Sequence, residues 1–130
     1  KKGLVGYSDA DVLLHAVCDA LLGAAGLGDL GRYFPEGDPQ WKGISSLTLL
    51  EEVYKRLAEQ KYRVVNVDTV LVAEGPRIAP RADEMKINIS RSLSILPDQV
   101  NIKATTNEKI GFVGREEGIA AYAVCLIEHD

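Results

Sequence analysis

Hydrophobic and polar positions in the first quarter of the chain alternate with the period of an amphipathic helix. The pattern predicts a helix from residue 9 to about residue 26, because the glycines at 26 and 28 favour its end. The broad apolar face of this helix consists of Val12, Leu13, Ala16, Val17, Ala20, Leu21 and Ala24.

The polar face of the same helix carries chemically active side chains. Ser8 is predicted to be the N-cap, with Asp11 at the third helical position as its partner in a capping box. Asp11, His15 and Asp19 recur every four residues and therefore share one face. Such a stripe is suited to a metal cation or an anionic ligand. A capped helix with a partly exposed histidine also explains the spacing, and the spacing alone favours that interpretation.

The rest of the chain predicts two more helices and three strands. The helices run from residue 45 or 46 to near residue 61, with Glu52 and Arg56 paired on the outer side, and from residue 80 or 81 to residue 93. The strands cover 63–73, 100–105 and 119–127. Strict alternation in the first strand predicts one shared face for Val64, Asn66, Asp68 and Val70.

Residues 28–39 are dense in glycine, proline and acids, which predicts a loop. A loop of this length in a compact domain is usually functional or mobile.

This order of elements predicts a single α+β domain over residues 1–130, with a small, ferredoxin-like mixed sheet and helices on one face. The strand at 119–127 is too apolar to face water. The sequence therefore predicts a homo-oligomer that covers the free face of the sheet.

Composition narrows the function classes. The 130 residues are 46% hydrophobic and 26% charged, with a formal net charge of −4. This balance is typical of a globular domain and gives no overall attraction to nucleic acid, and no apolar run is as long as a membrane span. Cys18 and Cys125 lie far apart in apolar segments, which predicts buried free thiols in a reducing compartment.

Three ordered motifs carry a resemblance to a known family. They are S-D-A-D-x-x-x-H from Ser8, G-D-x-G-x-x-F-P from Gly28 and K-A-T-T-x-E from Lys103, followed by the stretch to Arg115. In this order and spacing, the chain resembles 2-C-methyl-D-erythritol 2,4-cyclodiphosphate synthase of the non-mevalonate isoprenoid pathway, over essentially its whole length.

The resemblance implies a homotrimer with three active sites at subunit boundaries, each using zinc and magnesium or manganese. In the family reaction, the 2-phosphate of cytidine-diphosphate-linked methylerythritol attacks the β-phosphorus, expels CMP and closes a cyclic diphosphate. Positioning the phosphates and neutralising their charge is most of that catalytic task.

The resemblance also assigns roles to individual positions. His15 is a zinc ligand, Glu108 binds magnesium or manganese, and Thr106 stabilises the transition state. The remaining substrate positions are Ser8 at the helix start, Asp29, Leu30, Gly31, Phe34, Pro35, Glu36, Gly37 and Asp38 for methylerythritol, and Ala73, Arg77, Ile78, Ala79, Ala104, Thr105, Thr106, Asn107 and Glu108 for the cytidine and its phosphates.

Further positions are assigned with alternatives. Phe112 and Arg115 match the central cavity of the trimer, where an isoprenoid diphosphate binds in family members, although a core phenylalanine and a salt-bridged arginine explain them equally well. Lys103 is either a phosphate-facing cation or a solvated strand lysine. His129 has no motif around it and is predicted to be an exposed tail residue.

The sequence departs from the family in two places. The family zinc site also uses an Asp-x-His on an N-terminal strand, and no residue before Tyr7 supplies it. The domain therefore appears without the family's N-terminal strand region, so either an upstream segment provides these ligands or zinc has been lost. Tyr7 stands where the family usually has a catalytic histidine, which predicts slower turnover, since tyrosine carries no positive charge at neutral pH.

Two other functions remain open on the sequence. One is a zinc-less trimeric module that binds a nucleotide or isoprenoid diphosphate without turnover. The other is a purely structural α+β domain. The family resemblance further implies a cytoplasmic protein in bacteria or a plastid protein in eukaryotes, with no nucleic acid or membrane partner.

Overall fold

The computed structural model describes residues 9–41, 43–73, 81–105 and 119–130. The helices are α1 (Asp9–Ala24), α2 (Leu30–Tyr33), α3 (Ser46–Glu59) and α4 (Ala82–Leu93), and the strands are β1 (Tyr62–Val72), β2 (Val100–Thr105) and β3 (Ala120–His129). Short 3₁₀ turns cover Pro39–Trp41 and Pro97–Gln99. The predicted helices and strands are thus confirmed within about two residues at most of their ends. None of the helices in these ranges is long and apolar enough to span a membrane.

The sheet is mixed, as predicted. Its strand order is β2-β1-β3, with β1 parallel to β2 and antiparallel to β3. The parallel pairing brings the ends of β1 and β2 together, and the Ala73 backbone nitrogen donates a 3.1 Å hydrogen bond to the Thr105 carbonyl oxygen. The carboxyl ends of β1 and β2 therefore lie side by side at the same edge of the sheet.

Helices cover one face of the sheet and build the core there. Leu50, Val53 and Leu57 of α3 are fully buried and pack with Val17 and Leu21 of α1. Burying one such leucine stabilises the fold by about 1.5–3 kcal/mol. A second, smaller cluster joins Leu13, Leu71 and Met85. The α+β architecture with helices on one face is therefore confirmed for the described part of the chain.

The opposite face of the sheet, called here the helix-free face, carries large apolar side chains. Tyr122 is 62% exposed, Val124 71% and Leu126 58%, whereas the alternating Ala123, Cys125 and Ile127 pack against the core. In the single chain, β3 thus exposes apolar side chains on one face, and the homo-oligomer that was predicted to cover them stays a prediction. An exposed apolar surface of this kind is typical of a protein interface.

One register prediction is wrong. Val64 lies on the buried face with Val67, whereas Asn66 and Asp68 lie on the other side. The cause is a β-bulge, because Val64 pairs with Ile127 while Asn66 pairs with the next residue, Leu126. The extra residue, Val65, shifts the alternation by one position, which a strict period of two cannot represent.

The predicted loop at 28–39 is also wrong in part. Residues Leu30–Tyr33 form a single helical turn, and a 3₁₀ turn begins at Pro39. Asp29 is the N-cap of α2, since its side chain accepts a hydrogen bond from the Arg32 nitrogen. A short polar sequence can form such a turn because the cap satisfies a backbone donor that the helix itself leaves unpaired.

The helix boundaries follow from local chemistry. Ser45 begins α3, because its hydroxyl oxygen accepts a 3.2 Å hydrogen bond from the Thr48 nitrogen. The chain leaves α1 through Gly26, whose φ of 71° falls in the left-handed region that favours glycine. Both cysteines are free thiols, as predicted, but only Cys18 is fully buried, whereas Cys125 is half-buried.

Candidate functional site

The polar stripe on α1 makes contacts with two other elements. Asp11 accepts a 2.8 Å hydrogen bond from the Ser46 hydroxyl at the start of α3. Asp19 accepts a 2.8 Å hydrogen bond from the Leu30 backbone nitrogen. His15, between them, is exposed. The two carboxylates therefore hold α3 and α2 against α1, and the imidazole is left accessible on the same helix.

Residues 29–38, called here the acidic loop, are anchored by two apolar side chains. Leu30 and Phe34 are each 9% exposed and belong to the main core. Between them, the Tyr33 hydroxyl donates a 2.7 Å hydrogen bond to the Leu27 carbonyl oxygen. Together with the bond from Asp19, these contacts fix the backbone of the loop before any ligand binds.

The second half of the acidic loop is a tight turn that presents acids to solvent. The Asp38 nitrogen donates to the Pro35 carbonyl oxygen at 3.2 Å, and Gly37 has a φ of 89°, which suits glycine. The Asp38 carboxylate accepts a 2.9 Å hydrogen bond from the Gln40 nitrogen. Glu36 is exposed at this turn. Carboxylates and backbone carbonyls held in this way are hydrogen-bond acceptors suited to ligand hydroxyl groups.

The described residues among the candidate nucleotide positions lie at the ends of β1 and β2. Ala73 is buried at the end of β1, whereas Ala104 and Thr105 are exposed at the end of β2. Leu71, beside this strand end, packs with Leu13 and Met85, and the acidic loop packs in the other core cluster.

Lys103 does not serve as a free cation. Its Nζ lies 2.9 Å and 3.0 Å from the two carboxylate oxygens of Asp68, on the helix-free face. The alternative prediction, a solvated strand lysine, does not include this ion pair, which joins β2 to β1. Strand alternation points Lys103 to the same side as Asn101, whose side chain donates to the same carboxylate at 3.0 Å.

Sequence reasoning missed the role of Arg56. The predicted pair of Glu52 and Arg56 is wrong, since Glu52 pairs instead with Lys55 at 3.2 Å. The guanidinium carbon of Arg56 lies 4.6 Å from the centroid of the Tyr33 ring and 5.7 Å from that of Phe34. Helical spacing describes neighbours on one helix only, so it could not reveal a contact with α2. The adjacent aromatic residues at 33 and 34 were the available signal.

Several predicted site residues lie outside the described residues: Tyr7, Ser8, Arg77, Ile78, Ala79, Thr106, Asn107, Glu108, Phe112 and Arg115. The Ser8 to Asp11 capping box falls outside them too. Within the described ranges, no group of three or more histidine, cysteine, aspartate or glutamate side chains is placed to hold a metal ion. His129 is exposed, but it ends β3 and its ring contacts Tyr62 with centroids 4.8 Å apart, so it is not a free tail residue.

The fold and the acidic loop define a small α+β domain with a preorganised polar segment, a class of site that suits hydroxyl- and phosphate-bearing small molecules. The family model described as the YgbB family matches residues 1–128. The chain therefore belongs to the YgbB family.

Individual relatives agree with this assignment. The 2-C-methyl-D-erythritol 2,4-cyclodiphosphate synthase of Desulforamulus reducens is 59% identical over 126 residues, which cover 97% of this chain and 80% of the relative. The bifunctional enzyme IspD/IspF of Anaeromyxobacter dehalogenans is 60% identical over 125 residues. This match covers 96% of the chain, which spans only 32% of that longer relative.

A solved structure shows the same fold. The structure of IspF from Plasmodium falciparum in complex with CDP matches with a TM-score of 0.81 at 30% identity, covering 96% of this chain and 75% of that protein. The resemblance to cyclodiphosphate synthases predicted from the three motifs is confirmed by these relatives.

Proposed function

We propose that this protein converts 4-diphosphocytidyl-2-C-methyl-D-erythritol 2-phosphate to 2-C-methyl-D-erythritol 2,4-cyclodiphosphate and CMP, in non-mevalonate isoprenoid biosynthesis. The observation that carries the proposal is the 59% identity, over 97% of the chain, to a relative named for this reaction. The preorganised acidic loop supports it, because the substrate carries hydroxyl groups that need acceptors.

In the proposed reaction, an oxygen of the 2-phosphate attacks the β-phosphorus. A new phosphorus–oxygen bond forms, the bond to the cytidine phosphate breaks, and CMP leaves with the bonding electron pair. Glu36 and Asp38 accept hydrogen bonds from the methylerythritol hydroxyl groups, which holds the 2-phosphate in line. The hydroxyl groups of Thr105 and Thr106 donate to phosphate oxygens as charge builds up in the transition state.

We assign the two halves of the site to adjacent subunits of a homotrimer. Two observations support this assignment. Leu30 and Phe34 of the acidic loop belong to the main core cluster, whereas Leu71, two residues before Ala73, belongs to the smaller one. The helix-free face also leaves Tyr122, Val124 and Leu126 exposed, as a surface for neighbouring copies. Ala73, Arg77, Ile78, Ala79, Ala104 and the residues from Thr105 to Glu108 then bind the cytidine diphosphate of the substrate bound to the adjacent loop. Phe112 and Arg115 are assigned to the central cavity and an isoprenoid diphosphate.

His15 and Glu108 are proposed as ligands of zinc and of magnesium or manganese, respectively. A neutral imidazole suits zinc, and a carboxylate oxygen suits the harder cation. His15 is exposed on α1 and so is accessible to a metal, but the described residues form no group of three or more candidate ligands with it. The remaining zinc ligands must come from elsewhere in the protein. Cations held at these positions would neutralise the charge of the diphosphate.

The activity is tested with the full-length natural protein, supplied with zinc and magnesium and incubated with the cytidine-diphosphate substrate. We expect CMP by chromatography and an equal amount of cyclic diphosphate by ³¹P NMR. Saturable binding of CDP without any CMP release would instead establish the zinc-less binding module. Neither binding nor release would refute both functions and leave the purely structural domain.

The metal assignment has a test of its own. Replacing His15 by alanine is expected to abolish zinc retention, measured by elemental analysis of the purified protein. His129→Ala, at the other histidine of the chain, is the matched control and should retain zinc. Equal zinc in both variants would exclude His15 as a ligand.

A Tyr7→His variant tests the second departure from the family. It is expected to release CMP faster than the natural protein, because histidine adds a positive charge near the phosphates. No gain in rate at unchanged metal content would contradict the role assigned to this position.

A further inference from the structure

Arg56 makes an unusual contact between α3 and the acidic loop. Its guanidinium carbon lies 4.6 Å from the Tyr33 ring centroid and 5.7 Å from the Phe34 ring centroid. Both distances are within the range of an attractive cation–π interaction. One arginine of α3 therefore contacts two successive residues in the middle of the loop.

The same arginine carries a cost in stability. Its Nε atom is buried and has no hydrogen-bond partner among the described residues. A buried donor without a partner destabilises the folded state, and a charged donor does so more than a neutral one. An apolar side chain of similar length would pack here without that cost. The cation–π contacts offset this cost, so the property that Arg56 has and an apolar side chain lacks is its attraction to the two rings.

Arg56 contacts the acidic loop at the junction between its anchored half, at α2, and its exposed half, at 35–38. On one side, α2 is fixed by the Asp19 bond to Leu30 and by the Tyr33 bond to Leu27. On the other side, the turn at 35–38 follows Phe34 directly and presents Glu36 to solvent. The planar guanidinium against both rings limits rotation of this junction, and with it the direction in which the turn points.

We propose that Arg56 is a positioning residue, which holds the turn at 35–38 in the orientation that receives the hydroxyl groups of the methylerythritol part of the substrate. The inference rests on the proposed function. Arg56 contacts Tyr33 and Phe34, which directly precede the turn. Its effect is therefore confined to binding of the polyol part and is transmitted through Tyr33 and Phe34.

The test compares Arg56→Met with the natural protein in two measurements. The methionine keeps an apolar stem but removes the charge and the planar group. We expect KM for the cytidine-diphosphate substrate to rise by about tenfold with little change in kcat, as for loss of binding shared by ground state and transition state. The Kd for CDP, which lacks the polyol, should stay unchanged.

A second variant and a control separate positioning from general damage. Arg56→Lys keeps the charge without the planar guanidinium, so we expect its KM to lie between those of the natural protein and Arg56→Met. Arg91→Met, at an exposed arginine of α4, should change neither KM nor the CDP Kd. Hydrogen exchange of amides 30–38 should be faster in Arg56→Met and unaltered in Arg91→Met.

The outcomes distinguish the inference from the proposed function. CMP release by the natural protein, with KM and loop exchange unaltered in both Arg56 variants, would overturn the inference alone. A parallel rise in KM and in the CDP Kd would also overturn it, because that pattern indicates general disruption. If the natural protein releases no CMP, the proposed function fails and the inference fails with it.

Discussion

Lys103 of β2 and Asp68 of β1 form an ion pair across the parallel strands, with Nζ to carboxylate oxygen distances of 2.9 Å and 3.0 Å. Asn101 adds a third hydrogen bond to the same carboxylate. The group lies on the helix-free face, beside Val124, which pairs with Asp68 in the sheet register. A polar cluster is therefore set among exposed apolar side chains on the proposed interface.

The ion pair predicts that the Asp68 carboxyl group titrates at a lower pH than a free aspartate. Hydrogen bonds from Lys103 and Asn101 to the carboxylate lower its pKa below the usual value of 3.8. Because the folded-state pKa is depressed, the stabilisation is present above pH 3.8 and is lost as the pH falls through the folded-state pKa. In the single subunit its size is small, since both side chains are about half exposed there.

The measurement is a ¹³C NMR titration of the Asp68 carboxyl. In Lys103→Met, we expect the midpoint to move upward, towards 3.8. Arg91→Met, which removes a positive charge from α4, is the matched control and should leave the Asp68 midpoint in place. An unaltered midpoint in the Lys103 variant would show that the pair does not persist in solution.

The helix-free face predicts the effect of a charge at Val124. In the proposed trimer, Val124→Glu buries a carboxylate near Asp68, so we expect a monomer in sedimentation equilibrium where the natural protein has three times the subunit mass. Leu96→Glu alters a side chain of similar exposure, 65%, at the start of a 3₁₀ turn, and should remain trimeric. A trimer in both variants would place the interface elsewhere.

Burial of Cys18 predicts slow chemistry at its thiol. Burial, with a smaller effect from the neighbouring Asp19 carboxylate, raises the thiol pKa from 9.0 to about 12. The thiolate is the reactive form, so we expect iodoacetamide at pH 8 to modify Cys125 before Cys18, as read by peptide mass spectrometry. Faster labelling of Cys18 than Cys125 in the native protein would contradict its burial.

The raised pKa of the Cys18 thiol also predicts that the folded protein becomes less stable at alkaline pH. Since the folded-state pKa is raised, the stabilisation is complete below pH 9.0 and is lost as the pH rises towards about 12. Urea unfolding at pH 8 and pH 10.5 should show a larger decrease for the natural protein than for Cys18→Ala. Equal decreases would contradict this account.

The N-cap of α3 predicts that removing the Ser45 hydroxyl lowers the free energy of unfolding. Ser45→Ala removes the acceptor of the Thr48 nitrogen and should lower the free energy of unfolding by about 1 kcal/mol. Ser45→Gly is the comparison, since glycine at an N-cap typically lowers the free energy of unfolding by only a few tenths of a kcal/mol. Urea denaturation at neutral pH measures both, and equal stability of the alanine variant and the natural protein would show that the cap is not formed.

The sequence predicted the helices and strands well because their apolar periodicity is strong and local. It could not predict the bulge at Val65, because the extra residue is visible only against the partner strand. It assigned Arg56 to Glu52 for a related reason. Helical spacing identifies possible neighbours along α3, but the aromatic rings that Arg56 contacts lie more than twenty positions away in sequence.

The candidate site was predicted unevenly. Composition predicted a functional or mobile loop at 28–39, and the family motif predicted its role in substrate binding. Its internal order depends on the Asp19 and Leu27 contacts, which no short motif contains. Lys103 was considered for phosphate binding because of the motif around it. Its actual partner, Asp68, is 35 residues away in sequence and becomes a neighbour only through parallel strand pairing.

The hydrogen bond from Ala73 to Thr105 limits which changes in chain length the protein can accept. Inserting one residue between the bulge and the end of β1 would move the following segment by about 3.3 Å relative to the end of β2, and would turn its side chains to the opposite face. An insertion between α4 and β2 would leave the register of β1 and β2 unchanged. Deletions and insertions scanned through 66–105 should therefore be tolerated at the turn near residue 96 and not within the two strands.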